Sequence, residues 1–206
     1  NTLRSHGYVT KNGEVYHLSL KFFHLGQHTR NQDKRYQLVK QKTADLAGKL
    51  AHAIDFDVKV NDKIMTLFHQ ADQSTEVGVR EGDYFHIHAS ATGKAILAEL
   101  PAQEVEHILT HKDLVANTEY TITDPEELRR ELDVIKNRGY AVIDQEWLEG
   151  LRSVAVVVPH PNGNVLGALS AGGPTYRLTK DEIKSTIAPQ LASSSAELGE
   201  AFKNIY

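Results

Sequence analysis

The strongest constraint on the fold is a pair of apolar, β-branched-rich runs, Ser153 to Pro159 and Asn164 to Ala171, joined by His160-Pro161-Asn162-Gly163. Asn-Gly between two such runs is a strong hairpin signal, so this stretch predicts a central antiparallel hairpin. Other strands fall in with it. Phe56 to Val60 and Lys63 to His69 alternate about the turn Asn61-Asp62, residues 75–80 read as a further strand, and Tyr140 to Asp144 as another. Near the start, Gly7 to Thr10 and Val15 to Leu18 flank Lys11-Asn12-Gly13-Glu14, which predicts a hairpin over 7–18.

Helices separate these strands. Residues 2–6 read as the last turn of a helix closed by Gly7. Leu18, Leu20, Phe22, Phe23 and Leu25 form a short helical stretch that Gly26 is expected to end, followed by a polar, basic linker over 27–35. From Lys34 to about Asp55, Val39, Thr43, Leu46, Ala47, Leu50 and Ile54 recur at spacings of three and four. Two short helices break at Pro101, a third opens at Asp124-Pro125 and runs to Gly139, and Thr179 with Glu182 forms a capping box before a terminal helix that Pro189 should kink. Hairpins with intervening helices predict an α+β domain with an antiparallel sheet.

Charge divides the chain. Residues 1–50 hold nine basic side chains against three acids, a net +6, whereas the remaining 156 carry 14 against 24, a net −10. The first part suits a polyanion, although a solvated lysine face on amphipathic helices gives the same count. There is no cysteine, which excludes disulfide scaffolds, zinc ribbons and thiol nucleophiles. No apolar run reaches the length of a membrane span and no apolar signal segment opens the chain, so a cytoplasmic location is expected. The chain begins Asn1-Thr2-Leu3 and its only methionine is Met65, which predicts a longer parent protein.

Several catalytic motifs fail on their residues. A Walker loop at Gly93-Lys94 would need Gly at position 88 and Ser or Thr at 95, where His88 and Ala95 stand. What remains, Ala89-Ser90-Ala91-Thr92-Gly93, is a small-residue helix start whose N–H groups suit a ligand carboxylate, or which Ser90 simply caps. The pairs His24/His28, His107/His111 and His86/His88 each share a face, but none sits in an HExxH motif, and a metal-dependent hydrolase is the weakest reading. No G-x-S-x-G elbow occurs. Ser153 and Ser170 fall in the two strands of the central hairpin, where a turn near 161–163 would bring them close in register beside one small polar ligand. Lys94 and Arg152 nearby admit a small acid.

The segments His88 to Ala95, Leu128 to Ala141, Glu149 to Ala155 and Ser170 to Pro174, in this order and spacing, resemble the effector domain of the IclR family of transcription regulators. Leu3, Gly7-Tyr8-Val9, Tyr16-His17-Leu18 and Leu25-Gly26 are similar to the end of that family's winged helix and its linker helix. The resemblance implies the end of a winged helix-turn-helix over 1–18, a linker helix over 19–33, and a GAF-like (profilin-like) effector-binding domain over 34–206. It implies a homodimer or tetramer that binds promoter DNA, with about forty-five residues of the winged helix lying upstream. Carried over by position, Ala91, Thr92, Gly93, Leu151, Ser153, Ser170 and Gly172 would face the effector, and Arg4, Lys11 and Asn12 the DNA. His86 stands where the family commonly has proline, and Ser153 and Gly172 are at variable positions. The resemblance implies a ligand-controlled regulator rather than an enzyme, with no cofactor or metal. The alternative is a free-standing small-molecule-binding or catalytic GAF-like domain with no role at DNA.

Overall fold

The central hairpin sits in the middle of a six-stranded antiparallel sheet, as a computed structural model shows; it describes residues 2–71, 78–111 and 113–205. The chain divides into two compact units, 1–38 and 39–206.

In the first unit, α1 (Thr2–Ser5) closes on Gly7, whose φ of +70° is the left-handed conformation that glycine tolerates. Strands β1 (Val9–Asn12) and β2 (Val15–Leu18) pair around Gly13-Glu14, with Asn12 opposite Val15. Helix α2 then runs Lys21–Gln32, straight through Gly26. The expected stop at Gly26 is therefore wrong, and the helix continues through most of the stretch expected as a linker. Gly26 does not adopt positive φ, so it costs this helix roughly 1 kcal/mol rather than ending it.

Helix α3 spans Lys34–Leu50, shorter than the expected run to Asp55, and stops where Ala51 takes a φ of +51°. The second unit's sheet has the order β5-β4-β3-β8-β7-β6, from β3 (Ala53–Val60), β4 (Lys63–Gln70), β5 (Tyr84–His86), β6 (Ala141–Asp144), β7 (Leu151–Pro159) and β8 (Val165–Pro174). Of the strand expected over 75–80, the first three residues lie outside the described residues, and 78–80 are not in a strand. The short β5 takes the sheet edge instead, Lys63 opposite His86.

Register sorts the side chains. Asp55 and Asp57 of β3, Thr66 of β4, Ile143 of β6, Leu151, Ser153 and Ala155 of β7, and Ala168, Ser170 and Gly172 of β8 share one face. Over it lie α4 (Ala91–Glu99), α5 (Ala102–His111) and α6 (Pro125–Arg138), whose Ile96, Leu97, Ile108, Leu128, Leu132 and Ile135 form the core with Ala141, Ile143 and Ala155. α6 begins under an Asp124 cap and ends on Gly139 at a φ of +80°, as its sequence requires. The opposite face carries Ile54, Phe56, Val154, Val156 and Leu169, all buried. On the C-terminal side, Thr179 caps α7 (Lys180–Glu182), a π-helical turn covers Ile183–Ile187, and α8 (Ala188–Phe202) follows. Pro189 can donate no backbone hydrogen bond, and it sits just after the widened turn, in the first turn of α8, where that missing donor costs least.

Ser153 and Ser170 are not register partners. Ser153 lies opposite Gly172 and Ser170 opposite Ala155, because β8 reaches to Pro174 and the bulge at Val158/Pro159 shifts the ladder. The two serines still share a face, two residues apart along it.

Candidate functional site

A small cavity of about 60 Å³ opens between this polar part of the sheet and the start of α4. That is room for a handful of heavy atoms, since one water needs roughly 10–15 Å³ by the same measure. Ser90, Ala91 and Thr92 border it from α4, Leu151 and Ser153 from β7, Ser170 and Gly172 from β8, and Asp55, Asp57 and Thr66 from β3 and β4. Phe85, Ile143, Trp147 and Val79 supply apolar wall. A larger groove at Lys59, Glu104 and Gly163 is polar, and its Lys59–Glu104 ion pair already satisfies both charges.

Six of the seven positions expected to face an effector thus meet at one cavity. Gly93 does not line it. A side-chain carbon there would stand 2.0 Å from the Ile87 carbonyl oxygen, so Gly93 permits a close backbone approach, and its N–H is taken by Ser90 Oγ at 3.1 Å. The N–H groups left without a partner inside the helix are those of Ala91 and Thr92 in its first turn. Among the described residues the hydroxyls of Ser153 and Ser170 make no hydrogen bond.

Both cations expected to favour an acid are ion-paired within the chain. Lys94, fully buried on α4, places Nζ 2.6 Å from both carboxylate oxygens of Glu146. Arg152 borders the cavity but lies at the opposite parity to Ser153, and its guanidinium donates to Asp144 and to the carbonyls of Thr175 and Leu178. Sequence reasoning missed the two acids that do line the site. Asp57 Oδ2 accepts from Thr92 Oγ1 at 2.7 Å, tying the start of α4 to the sheet. Asp55 Oδ1 pairs with His69 Nδ1 at 2.6 Å. Burial first, and then the neighbouring Asp55, push the Asp57 carboxyl up to about 7, against the opposing pull of Thr92, Thr66 and His69. The signal was present in Ile54-Asp55-Phe56-Asp57-Val58, where two acids at alternate positions stand among apolar residues, all five buried.

Glu146 holds the apolar wall in place. Its backbone carbonyl accepts from Thr121 Oγ1 at 2.6 Å, and the adjoining Trp147 meets Phe85 edge to face at 5.3 Å. Burial raises the Glu146 carboxyl above its ordinary range and Lys94 pulls it back.

In the first unit, Arg4 lies on α1 and Lys11 and Asn12 end β1, with Lys11 Nζ 3.3 Å from Glu14. His107 and His111 stack at 4.7 Å and His86 and His88 lie 5.6 Å apart. Among the described residues no three His, Asp or Glu side chains gather as a metal site requires. No helix among them is long and apolar enough to cross a membrane.

A family model described as "Bacterial transcriptional regulator IclR C-terminal" matches residues 34–198. The chain belongs to the IclR family. The HTH-type transcriptional regulator KdgR of Dickeya chrysanthemi is 31% identical over 191 residues, 91% of this chain and 62% of the relative. The Pca regulon regulatory protein of Pseudomonas putida is 28% identical over 201 residues, 96% of this chain and 69% of its own. The crystal structure of Thermotoga maritima IclR superposes with a TM-score of 0.84 at 24% identity, covering 98% of this chain and 82% of that one. The α+β architecture, an antiparallel sheet flanked by helices, is that of the IclR C-terminal, GAF-like domain. The chain spans a little over three fifths of the Dickeya regulator's length.

Proposed function

We propose that this chain is the ligand-sensing part of a DNA-binding transcription regulator, in which a small-molecule effector in the cavity alters promoter binding. The observation that carries the reading is the convergence of Ala91, Thr92, Leu151, Ser153, Ser170 and Gly172 on one small cavity in a chain of IclR descent. Those six positions, without Gly93, are the effector contacts. The two free N–H groups of α4 receive the effector's acceptor end, and the serine hydroxyls orient it. Among the described residues no nucleophile, base and orienting partner stand together in the cavity, which favours a sensor over an enzyme.

Residues 1–18 are read as the end of a winged helix-turn-helix, 19–33 as a linker helix and 34–206 as the effector domain, in a cytoplasmic homodimer or tetramer. The basic hairpin, with Arg4, Lys11 and Asn12, is the part that meets DNA. Effector binding favours one arrangement of the sensor domains over another, and it can bias promoter binding by no more than its differential affinity for the two.

Ser153→Leu replaces a small polar side chain of the cavity wall with a bulky apolar one. It is expected to weaken effector binding at least 100-fold while the thermal midpoint of the unliganded chain moves by less than about 3 °C. Calorimetric titration of both proteins with small carboxylic acids checks this. Equal affinity of the variant would remove the cavity from the account.

A further inference from the structure

Three buried polar side-chain atoms among the described residues have no hydrogen-bond partner: Asp57 Oδ1, Thr66 Oγ1 and Arg152 Nε. The arginine's guanidinium is already held by Asp144 and two backbone carbonyls. The other two belong to residues that border the cavity, and they sit opposite each other as cross-strand partners of β3 and β4. The Thr66 hydroxyl is near enough to favour the ionised form of Asp57. Asp57 is 5% exposed and Thr66 1% exposed, so bulk solvent barely reaches them and a partner has to come from within the cavity.

The electrostatics of the cavity point the same way. The ionisable residues described around the cavity are Asp55, Asp57 and Arg152; Arg152 is ion-paired to Asp144, and the nearby Lys94 to Glu146. A ligand that offers only acceptor atoms meets N–H groups at the start of α4 and a carboxylate wall facing them. Such a ligand leaves Asp57 Oδ1 bare and adds repulsion to it.

We propose that the effector is a small acid that also carries a hydrogen-bond donor, a hydroxyl or an ammonium group, seated against Asp57 and Thr66. This rests on the reading of the cavity as the effector site. The acid group goes to the N–H groups of Ala91 and Thr92, and the donor completes the half-made pair on the sheet. Asp57 is thereby the specificity-determining residue: it admits hydroxy or amino acids and rejects their deoxy and keto counterparts. Thr92, which donates to Asp57 from the same turn that receives the acid group, couples the two ends of the ligand.

The experiment titrates the whole chain calorimetrically at pH 8, where Asp57 is ionised, with matched small acids: lactate and alanine against propionate and pyruvate, and 3-hydroxybutyrate against butyrate. Donor-bearing acids are expected to bind roughly 10- to 100-fold more tightly than their partners, the range of a hydrogen bond to a charged group. Lactate over alanine would identify a hydroxyl as the donor, and alanine over lactate an ammonium. In Asp57→Asn the preference should collapse to within about threefold, because the amide can turn its NH₂ toward an acceptor. Thr66→Val gives a second reading of the same wall should the Asn variant fold poorly, with a smaller loss of preference. Equal binding of lactate, propionate and pyruvate by the unaltered chain, or an Asp57→Asn chain that keeps the full preference, overturns the donor requirement and leaves the effector site standing. Failure of every acid to bind overturns both.

Discussion

Lys94→Met is expected to destabilise the chain by roughly 3–5 kcal/mol, the usual cost of stripping one partner from a buried ion pair. Glu146 would keep only a long contact from the Ile122 N–H at 3.4 Å, at a site 7% exposed. The thermal midpoint should fall by on the order of 10 °C. The deficit has a pH signature. Without Lys94 the Glu146 carboxyl, already raised by burial, rises further, so the variant recovers as pH falls and the group is protonated. Lys94→Met combined with Glu146→Leu should regain most of the loss, since an apolar pair of similar volume replaces a buried ion pair at little net cost. Unfolding of the three variants at pH 5 and pH 8 decides it, and a single variant as stable as the unaltered chain at pH 8 would show that the pair does not hold the Trp147 wall.

The second large effect belongs to Asp57. Its carboxyl titrates near 3.8 in the unfolded chain and at about 7 in the folded one. A raised carboxyl favours the folded state while it is protonated in that state and ionised in the unfolded one, so its contribution is full below pH 3.8 and is lost as pH rises toward 7. At 1.36 kcal/mol per pH unit this amounts to up to roughly 4 kcal/mol. The groups facing it are Asp55 on its own strand, the His69 imidazole paired with Asp55, and the Thr92 hydroxyl on α4; Lys94 of that helix is engaged by Glu146. Asp57→Asn removes the titration. The variant should therefore match the unaltered chain near pH 4 and exceed its midpoint by on the order of 10 °C at pH 8. Parallel dependence of both midpoints on pH would place the titration elsewhere.

The hairpins and capped helices were legible because each is written locally: Asn12-Gly13, Asp124-Pro125 with Gly139, and Thr179 with Glu182 all carry their own geometry. Gly26 misled because a helix stop depends on positive φ, which the surrounding helix overrides. The serines of the central hairpin were placed on the right face but in the wrong pairing, since a register shift of two preserves the face and a bulge is silent in the sequence. Asp55 and Asp57 were passed over because alternating acids ordinarily mark a solvated sheet face. Only tertiary packing of α4 over β3 turns them into a buried acid wall, and only the fold shows Arg152 engaged by Asp144.

The central claim is that the cavity beneath α4 binds an effector, and the chain carries its own reporter. Trp147 is the single tryptophan and lines that cavity against Phe85. Titrating tryptophan fluorescence with the small acids should give a saturable change for at least one of them, absent in Ser153→Leu. An emission spectrum unmoved by every acid that calorimetry shows to bind would place the effector elsewhere and contradict the account.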